Sequence, residues 1–348
     1  MKIVMTGGAG FVGAALLRAL AGSAQDVLVI DSLRTDVHRD GGLAARDRLS
    51  SLDVRLVETD VRDLAAVGAH VEGADAVVHL AAKVGLGVDL DDMDDYVSTN
   101  ALGTATVLRA CHAAGVPRFV QASSMVVYGE GAYTCPRHGR RVSPAPREEE
   151  RLARGLFEPA CPDCGADLVP ALVSEDAAMD PRNTYAVTKV TQEQLASVWA
   201  RETGAVATSM RLHNVYGPSM PRSTPYAGVA AIFWSAAANR ISPQVFEDGG
   251  QRRDFIHVDD VATAFVAALD RDTSGHAAYN VGSGVVHTIG DVATELASLA
   301  GGPAPQVTGQ YRLGDVRHIT ASSALAAREI GWAAKVPLRA GLSGLSFS

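Results

Sequence analysis

The sequence predicts an α/β protein built on a doubly wound parallel sheet, with a smaller C-terminal substrate domain. Three observations predict it. Short, almost wholly apolar runs alternate with helical patterns through the first half, and a glycine-rich turn joins the first run to the first helical pattern. Of the 348 residues, 47% are hydrophobic and only 20% charged, ample for a large core in one domain or two intimate ones. Strands apolar on both faces and separated by helices belong to a parallel sheet covered on both sides.

Taken in order, Lys2–Thr6 reads as the first strand, Phe11–Ala21 as the first helix and Asp26–Ile30 as the second strand. Val54–Glu58, Asp75–His79 and Arg118–Ala122 supply further strands, and Asp94–Ala114 is the clearest helix between them. The periodicity then fails. Residues 131–170 are rich in Pro, Gly, Arg and Glu, and read as an insertion within a first domain spanning 1–211. A strong helical pattern resumes at Asn183–Glu202, and Ala205–Arg211 is a strand. Beyond Leu212, Gly/Pro turns and shorter elements mark a second unit, 212–348, parts of which (254–270, for example) are expected to pack back onto the first.

The formal net charge of −8 argues against nucleic acid as a partner, since such binders carry a basic face. Met1 leads almost directly into a strand, so no secretory segment is expected. The apolar stretch Ala227–Ala238 is too short to cross a bilayer. The expected location is cytoplasmic, where the four cysteines are not expected to form a disulfide framework.

Gly7, Gly10 and Gly13 in Thr6-Gly7-Gly8-Ala9-Gly10-Phe11-Val12-Gly13 give a GxxGxxG turn opening a helix. Glycines let the backbone approach a pyrophosphate, whose charge meets the amides at the helix N-terminus. This is a Rossmann-type dinucleotide site, with Phe11 and Val12 in the same turn. Asp31 closes the second strand 18 residues after Gly13, placed to accept bonds from the adenosine ribose and to repel a 2′-phosphate. NAD is therefore favoured over NADP, although Arg34 lies nearby. Asp60, followed by Val61, either holds the adenine edge or caps a helix beginning at Val61, two compatible readings.

After the fourth strand stands His79-Leu80-Ala81-Ala82-Lys83; after the fifth, Ser123-Ser124-Met125-Val126-Val127-Tyr128-Gly129; and the later helix opens with Tyr185-Ala186-Val187-Thr188-Lys189. Residues four apart share a helical face, so Lys189 is expected to stand over Tyr185, its ammonium and the positive nicotinamide of NAD together lowering a phenol pKa that is ordinarily near ~10.

In this order and at these junctions the chain resembles the extended short-chain dehydrogenases of the nucleotide-sugar epimerase/dehydratase group, over almost its whole length. The resemblance implies NAD beside Leu80, Ala81 and Ala82, a substrate contact at Lys83, and a catalytic set of Ser124, Tyr185 and Lys189. The group's 4,6-dehydratases carry an Asp-Glu pair where this chain has Met125 and Val126, which disfavours dehydration. Arg211–Pro218 is similar to the family's RxxNxxGP, Arg252–Val261 to its RDFIHVxDV, and Arg312–Arg317 to its RxGDvR. These place Asn214, Arg253 and Arg312 on a nucleotide diphosphate, while Arg252 and Arg317 are expected to pair with local aspartates. A homodimer is implied too, through a four-helix bundle of Asp94–Ala114 and Tyr185–Glu202. The implied reaction is 4-epimerisation of a dTDP- or UDP-linked sugar. An oxidoreductase, epimerisation at another carbon, and a non-catalytic NAD-binding redox sensor are the alternatives, the intact catalytic set opposing the last.

Within the insertion, Cys135-Pro136-Arg137-His138-Gly139 and Cys161-Pro162-Asp163-Cys164-Gly165 form two knuckles, each with two zinc-type ligands three positions apart. Cys135, His138, Cys161 and Cys164 are expected to hold one structural zinc, four protein ligands closing the site to chemistry. Cys111, on an apolar helix, is expected only to pack. The insertion together with SSMVVYG resembles the bacterial dTDP-L-rhamnose 4-epimerase subgroup. Lying between Ser124 and Tyr185 in the chain, the insertion is expected to shape access to the sugar pocket.

Overall fold

The computed structural model describes residues 1–23, 25–38, 40–85, 90–221 and 228–345. Ala227, the first residue of the apolar stretch singled out above, lies outside them.

The chain opens with β1 (Lys2–Thr6), α1 (Phe11–Leu20), β2 (Asp26–Asp31), α2 (Leu43–Ser51), β3 (Arg55–Glu58), α3 (Leu64–Val71) and β4 (Ala76–His79). The long helix expected at Asp94–Ala114 is a composite of α4 (Met93–Tyr96), a π-helical turn (Val97–Leu102) and α5 (Gly103–Ala113). Next come β5 (Arg118–Ser124), the insertion elements β6 (Ala132–Thr134), β7 (Arg141–Val142), α6 (Glu149–Ala153) and β8 (Val169–Ala171), then α7 (Thr184–Thr203) and β9 (Val206–Leu212). The remainder comprises β10 (Asn214–Tyr216), α8 (Val229–Ala238), β11 (Gln244–Val245), β12 (Arg252–His257), α9 (Val258–Leu269) and β13 (Gly275–Val281). It ends with β14 (Val286–Thr288), α10 (Ile289–Leu299), β15 (Gln306–Val307), β16 (His318–Ile319), α11 (Ala324–Glu329) and α12 (Leu338–Ser343).

Seven strands form one parallel sheet in the order β13-β9-β5-β4-β1-β2-β3. Both faces are covered, as apolar strands demand. Leu16, Leu17, Val261 and Phe265 from α1 and α9 pack on one face; Val67, Val107, Ala196 and Trp199 from α3, α5 and α7 pack on the other. The order reverses between β1 and β4, and ligands bind such sheets at the carboxyl ends beside that switch.

The boundary at residue 212 does not describe this sheet. Its edge strand β13 returns from beyond it, pairing with β9 from Gly275↔Val206 to Val281↔Leu212, and α9 packs on α1. The rest of the second unit centres on β12, which is flanked by parallel β10, antiparallel β14 and parallel β16. The insertion is not featureless. Its three short strands form an antiparallel sheet, β7-β6-β8, around a small core of Tyr133, Cys135, Cys161 and Leu168.

The helix expected to start at Val61 under an Asp60 cap begins instead at Leu64, where Asp63 accepts from the Ala66 amide at 3.0 Å. Asp60 is engaged by Arg62, whose amide and guanidinium reach it at 2.9 and 2.6 Å. Val61 is buried under Gly103, where a Cβ would come within 2.8 Å of it.

Candidate active site

The expected catalytic residues converge. Asn183 caps α7 by accepting from the Ala186 amide at 2.8 Å, which fixes where Tyr185 and Lys189 fall on its first turns. Lys189 Nζ then stands 5.7 Å from the centre of the Tyr185 ring. The lysine is buried, and it donates to the Ala122 carbonyl of β5 at 2.8 Å. Two residues further along β5, the Ser124 hydroxyl is close enough to the Tyr185 phenol to favour its ionised form.

In the protein alone, burial pushes the Tyr185 phenol above its ordinary value, the neighbouring Ser124 hydroxyl offsetting only part of this. Burial also pushes Lys189 down to about 7, against the opposing pull of Glu193. Burial thus sets the direction of both shifts.

The glycine turn fits a dinucleotide. At Gly7 (φ +71°) a Cβ would lie 2.5 Å from the Ala81 amide nitrogen, so the turn and the loop after β4 meet backbone to backbone. Gly10 caps α1 without a side-chain bond, leaving the helix amides directed at the cradle. Asp31 accepts from the amides of Ala9 at 3.1 Å and Leu33 at 3.0 Å, which holds its carboxylate at the end of β2. Arg34 is held by Asp36 and Asp95 at 3.1 and 2.8 Å, so its charge is already answered by two carboxylates.

The loop carrying Leu80, Ala81, Ala82 and Lys83 is tied down by a residue that sequence reasoning missed. Asn100, fully buried in the π-helical turn, accepts from the Lys83 amide at 2.7 Å and donates to the Lys83 carbonyl and the Thr188 hydroxyl, both at 2.9 Å. It clamps that loop to the catalytic helix. π-helical turns concentrate at functional positions, and a polar residue on the buried face of an apolar helix was the available signal. Lys83 itself points elsewhere than expected: its Nζ pairs with Asp92 at 2.9 Å and Asp95 at 2.8 Å, at the start of α4. Two neutralising carboxylates remove it as a free substrate contact.

Glu193, one turn beyond Lys189, was also missed. It is buried, accepts from the Ser123 hydroxyl at 2.5 Å and pairs with Arg211 at 2.8 Å. Arg211 donates as well to the Tyr128 hydroxyl at 2.7 Å, which in turn donates to Asn280. This network ties β5, α7, β9 and β13 together directly behind Ser124.

The second unit presents polar groups with unused bonding capacity. Asn214 Oδ1 and both ring nitrogens of His213 are buried with no hydrogen-bond partner among the described residues. Burial pushes His213 down to about 4, so its ring is neutral near pH 7. Arg253 donates only to carbonyls, those of Arg252 and Arg317 at 2.9 Å and Val316 at 2.7 Å, and forms no ion pair among the described residues. A guanidinium without a carboxylate partner is suited to an anion. Arg312 is exposed, its guanidinium 5.0 Å above the Phe246 ring. Arg317 pairs with Glu158, Glu247 and Asp248, none of them the local aspartate the sequence suggested.

The family model of the NAD dependent epimerase/dehydratase family matches residues 3–149 and 164–282. The chain belongs to that family. The interval between the two matched stretches lies inside the insertion. Over 99% of its length the chain is 32% identical to a dTDP-L-rhamnose 4-epimerase of Burkholderia thailandensis, covering 93% of that protein. Two solved structures resemble it over 99% of this chain and 97% of theirs. One is the UDP-glucose 4-epimerase of Thermotoga maritima with UDP-glucose (TM-score 0.79, 26% identity), the other that of Thermus thermophilus with NAD (TM-score 0.76, 27% identity).

Outside the family's catalytic core, the two knuckles of the insertion face each other. They repeat one backbone design: the Gly139 amide donates to the Cys135 carbonyl and the Gly165 amide to the Cys161 carbonyl, both at 2.8 Å. The donor atoms of Cys135, His138, Cys161 and Cys164 all lie within 4.8 Å of one another. The Cys135–Cys164 sulfurs are 3.7 Å apart, and Cys161 Sγ is 3.8 Å from His138 Nδ1. A tetrahedral zinc with bonds of about 2.3 Å to sulfur requires thiolates about 3.8 Å apart. The donor set fits that ion.

Proposed function

We propose that this NAD-dependent nucleotide-sugar epimerase inverts C4 of a dTDP- or UDP-linked sugar through a transient 4-keto sugar. It holds one structural zinc in its insertion and works as a homodimer. The observation that carries the reading is the convergence of Ser124, Tyr185 and Lys189 beside the glycine cradle. In this reading Tyr185 takes the proton of the C4 hydroxyl, Ser124 hydrogen-bonds the same oxygen as it becomes a carbonyl, and Lys189 fixes the tyrosine against β5. Bound NAD, held by the Gly7–Gly13 turn, Asp31 and Leu80–Ala82, supplies a reversible hydride acceptor. Asn214, Arg253 and Arg312 grip the diphosphate, leaving the sugar free to present either face.

Dehydration would need a proton-transferring pair beside Ser124, and the side chains there are those of Met125 and Val126. NADPH-dependent reduction is opposed by Asp31 and by the paired Arg34. The Burkholderia relative supports dTDP-L-rhamnose as the first substrate to try.

The test is a panel of UDP-, dTDP- and GDP-sugars, following both the sugar and the absorbance of NADH. Sugar interconversion without net NADH is the expected result. Stoichiometric NADH or a dehydrated product contradicts it. Tyr185→Phe is expected to abolish turnover while the purified protein keeps its NAD.

A further inference from the structure

The insertion reaches across to the second unit, and its contacts converge on the supports of both candidate diphosphate arginines. Glu158, three residues before Cys161, accepts from Arg317 Nη2 at 2.7 Å and bonds His318 Nε2 at 2.8 Å. The hydroxyl oxygen of Tyr133, two residues before Cys135, accepts from the His318 amide at 3.2 Å. At Gly131 (φ +85°) a Cβ would sit 2.7 Å from the His318 carbonyl oxygen, so the two backbones are in direct apposition. The carbonyls of Val316 and Arg317, in the same short stretch, are the ones that hold the Arg253 guanidinium. Arg147, also in the insertion, donates to the Asp315 carbonyl at 2.6 Å and pairs with buried Glu247 at 2.8 Å. Glu247 follows Phe246, the ring beneath Arg312.

We propose that the metal-bound insertion is a brace for the diphosphate site, with Glu158 as the positioning residue that couples the Cys/His knuckles to Arg253 and Arg312. This rests on the zinc and diphosphate readings above and adds a direction to them. A closed four-ligand site does no chemistry itself. It orders a polar segment that has little core of its own, and the order is passed through Glu158 and Tyr133 to the 315–318 stretch. The consequence is felt in affinity for the nucleotide diphosphate, not in the steps at the sugar carbon, because Ser124, Tyr185 and Lys189 are held by α7 and β5.

The experiment is calorimetric titration of the NAD-bound protein with UDP and dTDP, alongside metal analysis and steady-state kinetics on an accepted sugar. Glu158→Ala is expected to weaken nucleotide binding by about tenfold, as loss of charge-assisted bonds can, and to raise KM similarly while kcat, zinc content and NAD content hold. Tyr133→Phe, which removes a single bond, is expected to give a smaller shift in the same direction, and chelation to reproduce the Glu158→Ala affinity. Unchanged nucleotide affinity in both variants overturns the brace, as does a fall in kcat with KM unmoved. Wild-type protein with a full complement of NAD and no zinc overturns the metal reading separately, whatever the variants do.

Discussion

At Tyr185 two environments have to be distinguished. In the protein alone, burial keeps the phenol protonated and Lys189 sits near neutrality, at about 7. A positive charge brought beside them favours the phenolate and disfavours the ammonium. The expected titration has a definite sign. Ultraviolet difference spectra of wild type minus Tyr185→Phe are expected to show no phenolate below pH ~10 in cofactor-free protein. With oxidised NAD bound, the phenolate appears at lower pH. A titration unmoved by the cofactor would mean that Tyr185 is not poised by it. Four other buried tyrosines, Tyr128, Tyr133, Tyr216 and Tyr279, are pushed upward by burial, and the subtraction of the Tyr185→Phe spectrum removes the tyrosines common to both proteins.

Individual residues differ in how readable they are from sequence. Ser124, Tyr185 and Lys189 were legible because their spacing has a mechanical meaning, and the structure brings them together. Lys83 was not, because its partners Asp92 and Asp95 belong to a later element and no local spacing announces the pairing. Desolvation, a property of the assembled site, sets the direction for both Tyr185 and Lys189 and is not legible in their spacing. His213 and Glu193 carried no motif of their own, and only burial shows them to be unusual.

Among the elements, the apolar strands and the GxxGxxG turn were readable because each follows from local periodicity or backbone need. The composite helix was less so: its π-helical turn is defined by Asn100 bonding simultaneously to Lys83 and Thr188, which are remote in sequence. The insertion was readable in its ligands and unreadable in its strands, since three strands of two or three residues carry no period. Its small core includes two of the four candidate metal ligands, so its order should depend on the ion. Limited proteolysis with a zinc chelator is expected to cut within residues 131–170 while the seven-stranded sheet survives. Resistance equal to that of untreated protein would argue that the segment orders itself.

For the whole molecule, a parallel sheet recruits strands by adjacency in space, so β13 returns to it from late in the chain, across the division at residue 212. The first and second units are therefore threaded through one another. This places the glycine cradle, after β1, and Asn214, after β9, beyond the carboxyl ends of strands of one sheet. On the outside of the sheet, an apolar groove between α5 and α7 is lined by Leu108, Leu195, Val198 and Trp199. Val198 is exposed there, and the proposed dimer would cover it. Sedimentation is expected to find a dimer that Val198→Asp weakens; a wild-type monomer at assay concentration would remove the four-helix bundle from the account.

The central claim is that one carbon is oxidised and then reduced within a single active site. The most direct measurement uses a nucleotide sugar carrying deuterium at C4, turned over in ordinary water, with the product read by NMR and mass spectrometry. The account predicts that the inverted product keeps its deuterium at C4. Ordinary hydrogen at that carbon, drawn from solvent, would contradict it.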